Sequence, residues 1–211
     1  MRARGREIVL LVEGATERAF KDVVKRFLDG RCAKEGRPKV GLTTRILDSR
    51  LLDGKTVCDE VRMALGRSET IGVVALIDVV CSGSPRRFGN AAEAIDFLQG
   101  AAPKDPRFRA HAAQYDFEAW LLPYWDDICN KLKIKAKSPG AEPEAVNHDK
   151  PPSRRLKDLY RKAPHHRDYD KVRDARAILE GKDLILSARK CHQLKAFLNS
   201  LLTFAGCREI E

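Results

Sequence analysis

The run Ile8-Val9-Leu10-Leu11-Val12 stops abruptly at Glu13-Gly14. Phe20, Val23, Val24, Phe27 and Leu28 then recur at helical spacing. A short apolar run rich in β-branched residues reads as a buried strand, and the 3.6-residue recurrence after it reads as an amphipathic helix. A second run, Gly72-Val73-Val74-Ala75-Leu76-Ile77, ends at Asp78. Strands that are apolar on both faces need layers above and below, which restricts the chain to a sandwich of sheet between helices. Open sheets of this kind bind ligands beyond the carboxyl ends of their strands, where Glu13 and Asp78 fall.

Between and after these runs the pattern keeps alternating. Strands are expected near 7–12, 42–47, 72–77 and 109–115, and helices near 17–28, 56–65 and 91–99. Thr16 is the expected N-cap of the first helix, and the basic stretch Gly30 to Lys39 reads as a loop. Asp116 is placed to cap a helix carrying Phe117, Trp120, Leu121 and Leu122, which Pro123 ends or kinks. The fold expected is α/β, a mainly parallel sheet flanked by helices over residues 1–130. Residues 131–211 lose the strand pattern and read as a basic helical extension packed on it. There Ser153 is the expected N-cap of one helix, and others are expected near 169–179 and 187–202.

Charge follows the same division. Of the +10 net charge, residues 1–130 carry little, with 21 Lys and Arg against 19 Asp and Glu. Residues 131–211 carry 19 against 11. A positive field concentrated in one part favours a polyanion, nucleic acid first. A solvated surface is the plainer reading. Hydrophobic content of 43% across 211 residues is enough for a sizeable core and excludes a disordered chain. No apolar run is long enough to span a bilayer. The amino terminus lacks a signal-type stretch, so a cytoplasmic protein without a membrane partner is expected. The six cysteines form no C-x-x-C pair and read as buried thiols. Cys191-His192 and His165-His166 are adjacent pairs whose side chains diverge, and Trp120 and Trp125 read as core.

Chemistry gathers on carboxylates. Glu13, Asp78 and Glu118, with Asp116 as a fourth, stand at strand ends or just beyond. Hard divalent cations such as Mg²⁺ or Mn²⁺ take oxygen ligands of this kind and activate phosphoryl groups or water. Acids at strand ends also cap helices without any ligand. No G-x-x-x-x-G-K-[ST] sequence occurs, which argues against NTP hydrolysis by this chain alone.

Glu13-Gly14 after a buried strand, with Asp78 ending a later one, resembles the Toprim domain of topoisomerases, primases and related nucleases. The fuller pattern resembles a Toprim-like domain-of-unknown-function family, DUF4276. The segments that carry it are Leu11 to Phe20, Ala75 to Asp78, Gln114 to Leu122, Pro143 to Asn147 and Pro152 to Leu156. The resemblance implies that Glu13 is a general acid/base or metal ligand and that Asp78 opens an Asp-x-Asp metal pair. The second place of that pair is Val80, so Glu118, with Asp116, is the expected replacement. The resemblance also implies a partner ATPase in phage-defence operons.

Arg86 and Arg87 lie in the loop after Asp78. Ser153, Arg154 and Arg155 open a helix whose amides favour phosphate, and Lys171 is a further phosphate contact. Surface ion pairing is the plainer reading of Arg154 and Arg155. Two functions follow. One is a Mg²⁺- or Mn²⁺-dependent nuclease acting on DNA or RNA. The other is a non-catalytic nucleic-acid-binding or regulatory subunit with a degenerate metal site.

Overall fold

The computed structural model describes residues 5–79, 88–146, 150–164 and 167–211, with the backbone alone for 15–19. Arg86, Arg87, Val80 and His165-His166 lie outside the described residues, as does the side chain of Thr16. The strands are β1 (Glu7–Val12), β2 (Gly41–Ile46), β3 (Thr70–Asp78) and β4 (Phe108–Ala113). They form a four-stranded sheet in the order β2-β1-β3-β4, and every pairing is parallel. The expected α/β architecture, a parallel sheet flanked by helices, is therefore what the chain adopts.

Strand alternation sorts the core into two layers. Val9, Leu11, Val73, Ala75 and Ile77 face one side, under α2 (Gly54–Leu65) and α3 (Ala91–Ala101). Ile8, Leu10, Val12, Val74 and Leu76 face the other. That larger layer joins α1 (Ala15–Lys34) and a 3-10 segment, Phe117–Tyr124, to the helices of the carboxyl-terminal part. These are α4 (Trp125–Leu132), α5 (Pro152–Lys162), α6 (Lys171–Leu179), α7 (Leu184–Ala188) and α8 (His192–Ala205). Phe20, Trp120 and Phe197 pack ring against ring at its centre, with centroids 5.8–6.4 Å apart. Among the described residues no helix is long and apolar enough to cross a membrane.

Several local expectations need correction. The helix α1 runs through Gly30 to Lys34, because Cys32 is fully buried and Arg31 pairs with Glu35 at 3.2 Å one turn on. Pro123 does not end its segment; it sits inside the 3-10 turns that lead into α4. Ser153 is not an N-cap. Pro152 occupies the first turn of α5, where its fixed φ suits a helix start and its missing N–H costs nothing. One helix over 187–202 is in fact two. Asp183 caps α7 by accepting from Ile185 N–H at 3.0 Å, and extended Cys191 separates it from α8. Cys191 is buried and His192 exposed, so this adjacent pair diverges as expected.

Two contacts lock α8 to the sheet. Gly72 of β3 lies under Phe204, and a Cβ there would come within 2.4 Å of the ring. His111 of β4 is buried against α8, its Nε2 2.9 Å from Ser200 Oγ and its ring edge-on to Phe197. Burial, with Arg109 nearby, pushes the His111 pKa down from 6.5 to about 4. A depressed histidine pKa means the unfolded chain takes up the proton first. Stability is then lost as the pH falls from about 6.5 to about 4, by about 3 kcal/mol at most. Urea unfolding at the two ends of that window should show this loss in the wild type and much less of it in His111→Leu. Gly72→Ala should cost about 1–3 kcal/mol by overpacking. Thermal unfolding of Gly72→Ala with and without Phe204→Ala should show the second change recovering part of that cost.

Candidate functional site

All four strands point the same way, so their carboxyl ends share one edge. Val12 pairs with Leu76, which sets Asp78 two residues further along β3, beside Glu13-Gly14 at the end of β1. Asp78 lies on the same sheet face as Val74 and Leu76. Beyond β4 the chain turns back over this edge. Tyr115 makes the turn with φ +69°, a left-handed conformation that a side chain adopts only at a cost. Asp78 Oδ1 accepts a hydrogen bond from Phe117 N–H at 3.0 Å, which pins the returning segment to the tip of β3.

That bond brings Asp116 and Glu118 under cover. Asp116 is 2% exposed and Glu118 fully buried. Asp116 Oδ2 accepts from the Ser153 N–H at 3.1 Å, in the first turn of α5. A carboxylate at a helix amino terminus is a favourable match of charge to dipole. The amide expected to hold a phosphate therefore holds this chain's own Asp116. The other oxygen, Asp116 Oδ1, is buried with no hydrogen-bond donor. Burial pushes the Asp116 pKa up, against the opposing pull of Ser153, Lys171 and the Glu118 amide.

Lys171, the first residue of α6, places its Nζ 3.6 Å from Glu118 Oε1. Tyr169 completes the group. Its hydroxyl is buried and receives no hydrogen bond. Burial, together with the nearby charges of Glu118 and Asp116, holds its phenol well above the usual range. The segment carrying Tyr169 and Lys171 is itself braced. Arg167 grips Asp174 with two 2.8 Å bonds and lies over the Tyr160 ring at 4.8 Å. Tyr160 meets Tyr169 edge to face at 5.2 Å.

Of the residues singled out from sequence, Asp78, Asp116, Glu118, Ser153 and Lys171 come together, with Glu13 at the adjoining strand end. Arg154 is exposed on α5, and Arg155 is turned so that its Nε donates to the Lys150 carbonyl at 3.0 Å. The sequence assigns no role to two residues, although Glu144 lies within the Pro143 to Asn147 segment that carries the resemblance. Tyr169 is one, since a tyrosine before a helix looks like ordinary core. Glu144 is the other. It accepts from Trp120 Nε1 at 3.0 Å and from the Gln193 and Leu194 amides, and so ties the 3-10 segment to the start of α8.

The oxygen-only donor set suits a hard divalent cation, and the buried, unmatched Asp116 Oδ1 is where added positive charge would be most favourable. Among the described residues, however, no three carboxylate, imidazole or thiol groups are gathered tightly enough to hold an ion unaided. With its pKa raised, the stabilisation that the Asp116 carboxyl contributes is fully present below its ordinary value of 3.8 and is lost as the pH rises through the raised folded value. Asp116→Asn keeps an acceptor for Ser153 and removes the buried charge. It should therefore melt at a higher temperature than the wild type at neutral pH, with the gap closing toward pH 3.8; scanning calorimetry across that range checks the sign.

No curated protein matches the sequence. Among solved structures, the C-terminal region of the Burkholderia pseudomallei OLD protein is similar in fold, with a TM-score of 0.54 over 97% of this chain and 100% of that one at 12% identity. The family model described as a domain of unknown function, DUF4276, matches residues 12–202, which include the carboxyl edge of the sheet and the segments gathered there, and the chain belongs to that family.

Proposed function

We propose that this protein is a divalent-metal-dependent nuclease that hydrolyses phosphodiester bonds of DNA or RNA. The observation that carries this reading is Asp116, a buried carboxylate with one oxygen lacking a donor. It lies beside Glu118 and is joined through Phe117 to Asp78 at the carboxyl edge of a parallel sheet. Burying acidic groups so close together is unfavourable unless positive charge arrives to offset it. Mg²⁺ or Mn²⁺, when bound, would polarise a phosphoryl oxygen and acidify a bound water.

In this reading Asp78, Asp116 and Glu118 are the ligands, and Glu13 is a ligand or the base that takes the proton from the attacking water. Lys171 pairs with Glu118 and would also offer positive charge to a substrate phosphate. The Tyr169 hydroxyl, which has no hydrogen-bond partner among the described residues, would be available as a donor at the same place. The basic residues Arg86, Arg87, Arg154 and Arg155 would hold the nucleic acid. A partner ATPase, as the Toprim-like resemblance implies, would control access.

A second reading has its own support. Val80 stands where the Toprim pattern has its second aspartate. Asp78 and Asp116 each already accept from a backbone amide. A nucleic-acid-binding or regulatory subunit with a degenerate metal site would look like this, and it would bind nucleic acid in a salt-sensitive way without turnover.

Calorimetric titration of Mn²⁺ into wild type, Glu13→Gln and Asp78→Asn separates the two. The nuclease reading expects binding in the wild type that is lost or weakened in both variants. It also expects Glu13→Gln to cut oligonucleotides about a hundredfold more slowly or worse. Undiminished cleavage by Glu13→Gln would remove Glu13 from the chemistry. Absence of metal binding by the wild type in the presence of nucleic acid would favour the second reading.

A further inference from the structure

The α5 helix has a second charged side. Two residues beyond the Ser153 amide that holds Asp116, its outer surface turns into a cavity of about 270 Å³. Lys137, Lys150, Arg155 and Lys162 stand around this cavity, over a floor that includes Trp125 and Leu159. The floor is rigid. Leu159 is buried, and the Trp125 indole N–H is fixed to the Ala136 carbonyl at 3.0 Å. Among the described residues one acid, Asp158, lines the cavity with the four cations, and it pairs with Lys150. Hydrogen bonding and attraction from Lys150, with attraction from Lys162 and Arg154, hold the Asp158 carboxyl below its usual range, as a surplus of positive charge should.

Four like charges around one concavity repel each other, and a polyanion relieves that repulsion. Size narrows the ligand. Cavities that enclose a whole small molecule run from about 300 to 1,000 Å³. This one lies at the bottom of that range, and four of its nine lining residues are cations, so it suits a phosphate group better than a complete nucleotide. Position narrows it further. Ser153 and Arg155 are two residues apart on one helix, about 3 Å along its axis. Asp116 sits at the amino end of that helix, so a strand with one phosphate in this cavity and running toward the start of α5 would reach the carboxyl edge of the sheet.

We infer that the cavity formed by Lys137, Lys150, Arg155 and Lys162 is a phosphate subsite for the backbone of a nucleic-acid strand, set beside the carboxylate site. It deepens the nucleic-acid reading given above, but it rests on phosphate binding and not on cleavage. Lys150 and Lys162 take part through the fold alone; Lys137 closes the basic stretch Lys131 to Lys137, but only the fold brings it to the others.

The test is binding of a fluorescently labelled single-stranded oligonucleotide to the full chain, in chelator, over a series of salt concentrations. The variants are Lys137→Ala/Lys162→Ala, two exposed residues, and a control pair, Lys39→Ala/Lys104→Ala, at the opposite end of the strands. Melting temperatures are measured in parallel. The inference expects the first pair to lower the slope of log affinity against log salt by about 1.4 and to weaken binding about tenfold, with the control close to wild type. Equal behaviour of the two pairs would overturn it. So would oligonucleotide binding left intact while the first pair loses only binding of inorganic phosphate, because the cavity would then serve a free anion. The nuclease reading fails separately. A wild type that binds with this slope yet never cleaves with Mn²⁺ present leaves the subsite standing and removes the enzyme.

Discussion

The carboxylate of Asp116, set against the first turn of α5, makes the bond between the two parts of the chain on which the site depends. Asp116 belongs to the segment that returns over the sheet edge, and Ser153 belongs to the carboxyl-terminal helices. The bond is charge-assisted and buried, so losing one partner would leave the other unsatisfied in a low-dielectric interior. Everything around it depends on that placement. Asp78 fixes Phe117 one residue on, Lys171 approaches Glu118 two residues on, and Tyr169 closes over both. The sheet supplies an edge, but the helices decide what the edge can bind.

This arrangement also explains why acids can be buried here at all. Glu118 has an ammonium 3.6 Å away, Asp116 has a helix terminus, and Asp78 has a backbone amide. Each contact lowers the cost of burial without fully removing it, as the raised Asp116 pKa records. A folded protein that only needed stability would place apolar groups at these positions. The retained charge is the physical case for a ligand that brings positive charge with it.

Much of the sheet could be read directly because its signal is local. Ile8 to Val12 and Gly72 to Ile77 are continuous apolar runs, and a parallel strand buried on both faces needs nothing else to identify it. Glu13 and Asp78 at their ends were legible for the same reason. The carboxyl-terminal part was harder. Its helix limits depend on Pro152 displacing Ser153 from the cap, on Cys191 breaking what looks like one helix, and on Glu144 reaching back from a distant turn to hold α8. Tyr169 and the lysines around α5 acquire a role only when segments far apart in sequence meet. No periodicity encodes such a meeting. Asp116 shows both sides: its position was readable as a helix cap, but its side chain turns away to a helix 37 residues further on.

The left-handed Tyr115 gives the site a mechanical character. A tyrosine in that conformation stores on the order of 1 kcal/mol. The turn is held there by bonds on its far side, Asp78 to Phe117 and Asp116 to Ser153. The bonds that hold the turn are made by the same carboxylates proposed to meet a cation. Drawing Asp116 away from Ser153 would release that hold, and the relaxing turn would carry Phe117 and its neighbours with it. Filling the site and reshaping the sheet edge would then be one event, and a partner that senses the edge could read whether the site is filled.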